Sequence, residues 1–208
     1  MPVQPCWESH RLDSTTLTPL QDLTARSALH PELAALVWVL TEKGVPLVVA
    51  SNDDGAAGAL RAAYAAQLRV DQPSRDSLAG GAIRAGSLED VLRVLGGSPL
   101  PGGEVADEVR DIGVVLVTDA ERVTVAHYVR PVERDGAGHL QRRPPTLLGA
   151  LDSASGVFDL FYWGYTDELA TRAGMSRADF EDEIERRTRL LAGAPSSESV
   201  LGPADARH

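Results

Sequence analysis

The sequence predicts an α/β protein that starts with a parallel strand and finishes with antiparallel hairpins and a terminal helix pair. Three features carry this. The run VPLVVA at 45 to 50 is continuously apolar, as a strand buried on both faces is, and a small-residue stretch and an Ala/Leu/Arg-rich helix follow it. GVVLVT and RVTVAHYV flank DAER as an antiparallel hairpin, and TLLGALD and GVFDLFYW repeat the pattern around SAS. Two capped helical patterns then close the chain.

In chain order, residues 1–16 mix Pro, Ser, Thr and charge without periodicity and read as a flexible arm. Thr18-Pro19-Leu20-Gln21 offers a capping hydroxyl, a proline at the first helical position and a glutamine three residues after the cap, so a short helix to about Ala28 is predicted. Pro31 opens a second helix whose Leu33, Leu36, Val37 and Leu40 recur at helical spacing, and Gly44 stops it. After the strand, SNDDGAAG (51–58) reads as a turn and ALRAAYAAQLR (59–69) as a strong helix. Residues 70–81 read as loop, and AIRA (82–85) as a short strand. Ser87 caps SLEDVLRVL, which Gly96 and Gly97 end. A Gly/Pro-rich connection leads to a short acidic helix near 104–110, the hairpins follow, and HLQRRPP between them is extended.

Thr166 is assigned as the cap of DELATRAG. Ser176 with Asp179 caps a last helix to about Leu191, with Phe180, Ile184 and Leu191 on one side. From Ala194 the polar tail (194–208) reads as disordered. The 208 residues thus hold one α/β domain over 17–193, divided into a first half (17–111), a hairpin region (112–163) and a helical end (164–193).

Thirty acids against 20 bases give a net charge of -10, which argues against a nucleic-acid partner, since that needs a basic face. The bases are nineteen arginines and one lysine, Lys43. Any chemistry requiring an ammonium group must use that residue. Cys6 stands alone, so neither an internal disulfide nor a cysteine zinc site forms, which suits a reducing cytoplasm. The longest strongly apolar run, LAALVWVL at 33–40, is too short to cross a bilayer, and the N-terminus lacks a signal-peptide pattern. A cytoplasmic protein with no transmembrane segment is expected.

The stretch at 51–58 lies where a phosphate-binding loop, GxxxxGK[ST], would join a strand to a helix. Laid on that junction, the pattern puts Ser51 and Ala56 at the glycine positions, Ala57 at the lysine and Gly58 at the hydroxyl. All four defining residues are absent. Asn52, Asp53, Asp54 and Gly55 fill the space between. Each carboxylate at the helix N-terminus stabilises it by roughly 0.3 to 1 kcal/mol. A triphosphate there would meet like charge, at on the order of 4 kcal/mol for charges about 4 Å apart at an effective dielectric near 20.

PELAALVWVLTEKGVPLVVA, with its helix leading into that strand, is similar to the N-terminal part of the core of type II and type IV secretion system ATPases, which include the type IV pilus motors. AIRAGSLEDVLRVL resembles the segment where those ATPases carry their histidine box, with Arg84 at the histidine position. IGVVLV and VTVAHYVRPVERDGAGHLQRRPP resemble the strands that follow. The resemblance implies a RecA-like fold, a hexameric ring, ATP with magnesium, and force delivered to a pilus or secretion apparatus. Only 25 residues separate Gly58 from Arg84, and about a dozen of them belong to the helix. A βαβ unit needs about 30. The acidic box and Walker B strand that the family carries there have no room, so the implied core is a reduced one.

VVLVTDAE offers a replacement acidic pair, Asp119 for magnesium and Glu121 for water. The competing reading is a polar hairpin turn, favoured because a Walker B strand would be parallel and buried. The five histidines show no ligand spacing, so no metal site is expected. Arg130, Arg134, Arg142 and Arg143 read as hairpin-surface residues paired with acids such as Glu133 and Asp135, or as a grip on an acidic partner. FDLFYWGY (158–165) concentrates five of the ten aromatics and reads as core before docking surface.

The expected function is that of a non-catalytic relative of secretion ATPases, binding no cofactor and docking on an active paralogue or on itself. The alternatives are residual ATP and magnesium binding through Asp119 and Glu121, and a free-standing interaction domain.

Overall fold

Leu47–Ser51 form β1, and all five residues are buried. A computed structural model of the chain describes residues 19–67, 82–95, 111–120, 122–131, 133–141 and 143–193. The predicted arm, the Thr18 cap, the loop at 70–81, the acidic helix near 104–110 and the polar tail lie outside them. On one side β1 pairs in parallel with β2 (Ala82–Arg84), and on the other with β3 (Gly113–Thr118), Leu47 lying opposite Val114. β3 folds back onto β4 (Val123–Val129), and β7 (Thr146–Leu151) and β8 (Phe158–Leu160) continue antiparallel, giving a mixed sheet in the order β2-β1-β3-β4-β7-β8. β5 (Glu133–Arg134) and β6 (Leu140–Gln141) form a separate two-stranded ribbon.

Because β1 and β3 are buried at every position, both sheet faces carry a core. On the first face, Leu47, Val49, Val114, Leu116, Ala126, Tyr128 and Leu148 pack under α1 (Pro19–Ala25), α2 (Pro31–Glu42), α3 (Asp54–Gln67), α5 (Thr166–Arg172) and α6 (Arg177–Leu191). On the second, Val48, Ala50, Val115 and Val117 meet Val91 of α4 (Leu88–Leu95), with Leu88, Leu92 and Leu95 packed against them. Helices α3 and α4 therefore lie on opposite faces of the sheet.

Two glycines set close approaches. Gly113 has φ +65, and a Cβ there would sit 2.3 Å from the Pro46 carbonyl oxygen, which accepts the Val114 amide. A Cβ at Gly149 would stand 2.5 Å from the Phe158 ring, so β7 and β8 pair only with glycine there.

The caps at Ser87 and Ser176 hold. Each hydroxyl accepts an amide three residues on, from Asp90 and Asp179, at 3.2 Å. Thr166 does not cap. It is the first residue of α5, buried, and its hydroxyl donates to the Trp163 carbonyl at 3.0 Å. Helix α3 starts at Asp54, so Gly55–Gly58 are helix and the predicted turn shrinks to Asn52-Asp53. β3 contradicts the contrast drawn between a hairpin strand and a buried parallel strand. It is both, parallel to β1 and antiparallel to β4.

Helix α6 closes the first face. Phe180, Ile184 and Leu191 are buried as expected, and Arg187 shares their stripe at 6% exposure. Its guanidinium lies 4.4 Å from the Trp38 ring, donates to Glu183 at 2.6 Å and pairs with Glu42 of α2. At the helix end, the Thr24 hydroxyl donates to the Leu191 carbonyl at 2.9 Å, tying α6 to α1. Hydrogen bonds from Arg186 and Arg187 hold the Glu183 carboxyl down at about 2, below its ordinary 4.5. Since the folded value is the lower one, this pairing stabilises the fold above pH 4.5 and is lost as pH falls through about 2. Urea unfolding should show stability declining across that window, and Glu183→Gln should flatten the decline. A variant with the unaltered slope would contradict the assignment.

Candidate functional site

A cleft of about 460 Å³ opens at the C-terminal ends of the parallel strands, lined by Asn52, Asp53, Gly86, Val117, Thr118, Asp119, Ala120 and Thr124. It lies where the chain leaves β1 and β2 for helices on opposite faces, the position at which open α/β sheets bind ligands. The cleft brings together two parts that are far apart in sequence, the Asn52-Asp53 connection and Asp119.

Asn52 and Asp53 alone connect β1 to α3. The Asp53 amide donates to the Ser51 hydroxyl at 2.9 Å, turning the backbone sharply. Asp53 Oδ1 then accepts the Ala56 amide at 2.9 Å, and the Asp53 carbonyl accepts the Ala57 amide at 3.2 Å. The protein's own carboxylate thus occupies the helix N-terminus, the seat an anion would take. Asp54 adds a second acid in the first turn. Gly55 matters here because a Cβ would come within 3.1 Å of Asp53 Oδ1. Ala56 and Ala57, at the second-glycine and lysine positions, are buried against the sheet, so the lysine position points into core. Gly58 follows Ala57 directly, about one turn after the helix start at Asp54.

Asp119 ends β3 in a turn: its amide donates to the Arg122 carbonyl at 3.0 Å and its Oδ1 accepts the Arg122 amide at 2.7 Å. The polar-turn reading therefore describes its bonds, although the strand beneath it is parallel and buried. Glu121 lies outside the described residues. Thr118, 5% exposed, carries a hydroxyl with no hydrogen-bond partner in the cleft wall. Arg84 is exposed on the edge strand β2, in register with Ser51, and does not line the cleft.

Asp53 and Asp119 make the cleft acidic, and none of the described residues lining it is basic. Lys43 caps the C-terminus of α2, before β1 begins. A strand of five residues, about 17 Å at ~3.3 Å each, separates it from the cleft. Among the described residues no group of three or more His, Cys, Asp or Glu side chains is placed to hold a metal ion. No helix among them is long and apolar enough to cross a membrane.

Elsewhere the structure departs from the sequence reading. Of FDLFYWGY, Tyr162 is fully buried and Phe158 partly so, but Phe161, Trp163 and Tyr165 are 47%, 55% and 40% exposed. The core assignment fails for those three, because the chain turns from β8 into a 3-10 helix at Tyr162–Tyr165 that faces alternate rings outward. Arg143 pairs with Glu133 at 3.1 Å as expected, whereas Arg130 reaches Glu168 of α5 with two bonds, 2.6 and 2.8 Å, and lies 5.6 Å from the Tyr165 ring. Asp135 caps its own turn through the Ala137 and His139 amides. Arg142 and the Arg134 side chain lie outside what is described. His127 is a half-buried strand residue whose burial lowers its pKa.

No protein-family model matches the chain, and no curated protein matches it.

The Asp53 cap should be measurable. Asp53→Ala removes the acceptor of the Ala56 amide and should cost about 0.5 to 2 kcal/mol in chemical unfolding, while Asp53→Asn, itself a good cap, should recover most of it. Equal stability of all three proteins would show that the carboxylate does not hold the helix.

Proposed function

We propose that the protein is a non-catalytic relative of the secretion and pilus ATPases that acts by binding another protein, an active paralogue being the partner the resemblance favours. On this reading the sheet is a reduced RecA-like core. The carrying observation is Asp53: the helix amide that would face a phosphate already has an intramolecular carboxylate partner at 2.9 Å. The two-residue connection leaves no arc of amides to wrap a phosphate, and the only lysine lies beyond the other end of β1.

One observation favours the ATP reading: Asp119 ends a buried parallel strand and lines the same cleft as Asp53. An acid there suits a magnesium ion. Against it, the turn already holds Asp119 through the Arg122 amide, and among the described residues the cleft offers a triphosphate two carboxylates and no cation.

Calorimetric titration of the full chain with magnesium and ATP should give no saturable heat, and phosphate release should not exceed buffer. Micromolar affinity, or turnover abolished by Asp119→Asn, would overturn the proposal in favour of the residual ATPase.

A further inference from the structure

The acidic surface groove between α2, the 3-10 helix and α6 has a cavity of about 520 Å³. Its floor is Ile184 and the stacked pair Tyr162 and Trp163, whose ring centroids are 4.4 Å apart. Tyr162 is held by its hydroxyl, which donates to Glu32 at 2.7 Å, while Trp163 stays 55% exposed. Glu32, Glu181, Asp182 and Glu185 line the groove, and no basic residue does among those described. Glu181 and Glu185 reach Arg177 and Arg189 at 2.8 and 3.6 Å, exposed pairs along one helix that are worth little and exchange readily.

The fold shows twice what such a surface holds. Arg187 lies over Trp38 between Glu42 and Glu183, and Arg130 lies by Tyr165 with one guanidinium edge, Nε and Nη2, on Glu168 and Nη1 on the Pro144 carbonyl. In each case a planar cation covers an aromatic face while carboxylates take its Nε and Nη2 protons, an arrangement that suits guanidinium better than ammonium. The groove repeats the aromatic and the carboxylates and has no arginine of its own among its lining residues.

We propose that this groove is a docking site for an arginine-bearing segment of a partner protein, one guanidinium stacking on Trp163 and reaching the carboxylates of α6. This rests on the reading of the chain as a binding protein and gives its partner surface a chemistry: basic, extended and arginine-rich. Aromatic anchoring beside exchangeable charge is the composition of an interface hot spot.

The test is fluorescence anisotropy of a labelled Gly/Ser peptide carrying arginines, against the full chain, with lysine and citrulline versions as comparisons. The arginine peptide should bind, the lysine peptide several-fold more weakly, and the citrulline peptide not measurably. Trp163→Leu should weaken binding about tenfold. The isosteric set Glu181→Gln, Asp182→Asn, Glu185→Gln, which keeps the groove's shape, should do at least as much. Glu89→Gln with Asp90→Asn on α4, across the sheet, should leave binding unchanged. Failure of the arginine peptide to bind at about millimolar concentration, or a loss on α4 as large as that in the groove, would overturn the proposal. So would self-association that Trp163→Leu abolishes, which would put a second copy in the groove. Titration with magnesium and ATP bears on the non-catalytic reading and is untouched by any of these outcomes.

Discussion

The complete burial of β1 is the constraint on which the rest of the structure depends. A five-residue strand paired in parallel on both edges and apolar on both faces needs a covering layer on each side. The covering helices must therefore leave the strand ends in opposite directions. The chain leaving β1 goes to the face of α2 and α6, and the chain leaving β2 goes to the other. The gap between those exits is the cleft. Its chemistry is then decided by which side chains occupy two short exits, Asn52-Asp53 and Ala85–Ser87 with Gly86, together with the end of β3.

Much of this was legible. VPLVVA announced β1 because a strand buried on both faces carries such a short apolar run, and Ser87 and Ser176 announced helix starts because a hydroxyl three residues before a polar helix position is an effective amide acceptor. The start of α3 was hidden. Gly55 and Gly58 each disfavour helix by roughly 1 kcal/mol, which reads as a turn. Tertiary packing reverses this, since Ala56 and Ala57 bury against β1 and Asp53 supplies the cap. The same local preference hid the most informative feature of the site, that there is almost no loop at all.

Other misses share one cause, that pattern cannot say which neighbour an apolar or charged residue will find. β3 alternates with nothing, so its double pairing, parallel to β1 and antiparallel to β4, could not be separated from a simple hairpin. The spacing Phe180, Ile184, Leu191 leaves a gap at 187 that an arginine fills, buried because Trp38, Glu42 and Glu183 meet it from two helices. The aromatic run at 158–165 was visible as a concentration of surface area. That Tyr162 turns inward while Trp163 turns outward depends on the 3-10 turn, which no periodicity marks.

The account rests on the amide end of α3 being taken by Asp53, and amide-resolved NMR reads it directly. In 15N-labelled protein titrated with ATP and magnesium, the amides of Asp53 to Gly58 should hold their positions throughout, while Asp53→Ala shifts Ala56 most. Saturable movement of those amides in the unaltered protein would show that the helix end is open to phosphate, and the claim would fall.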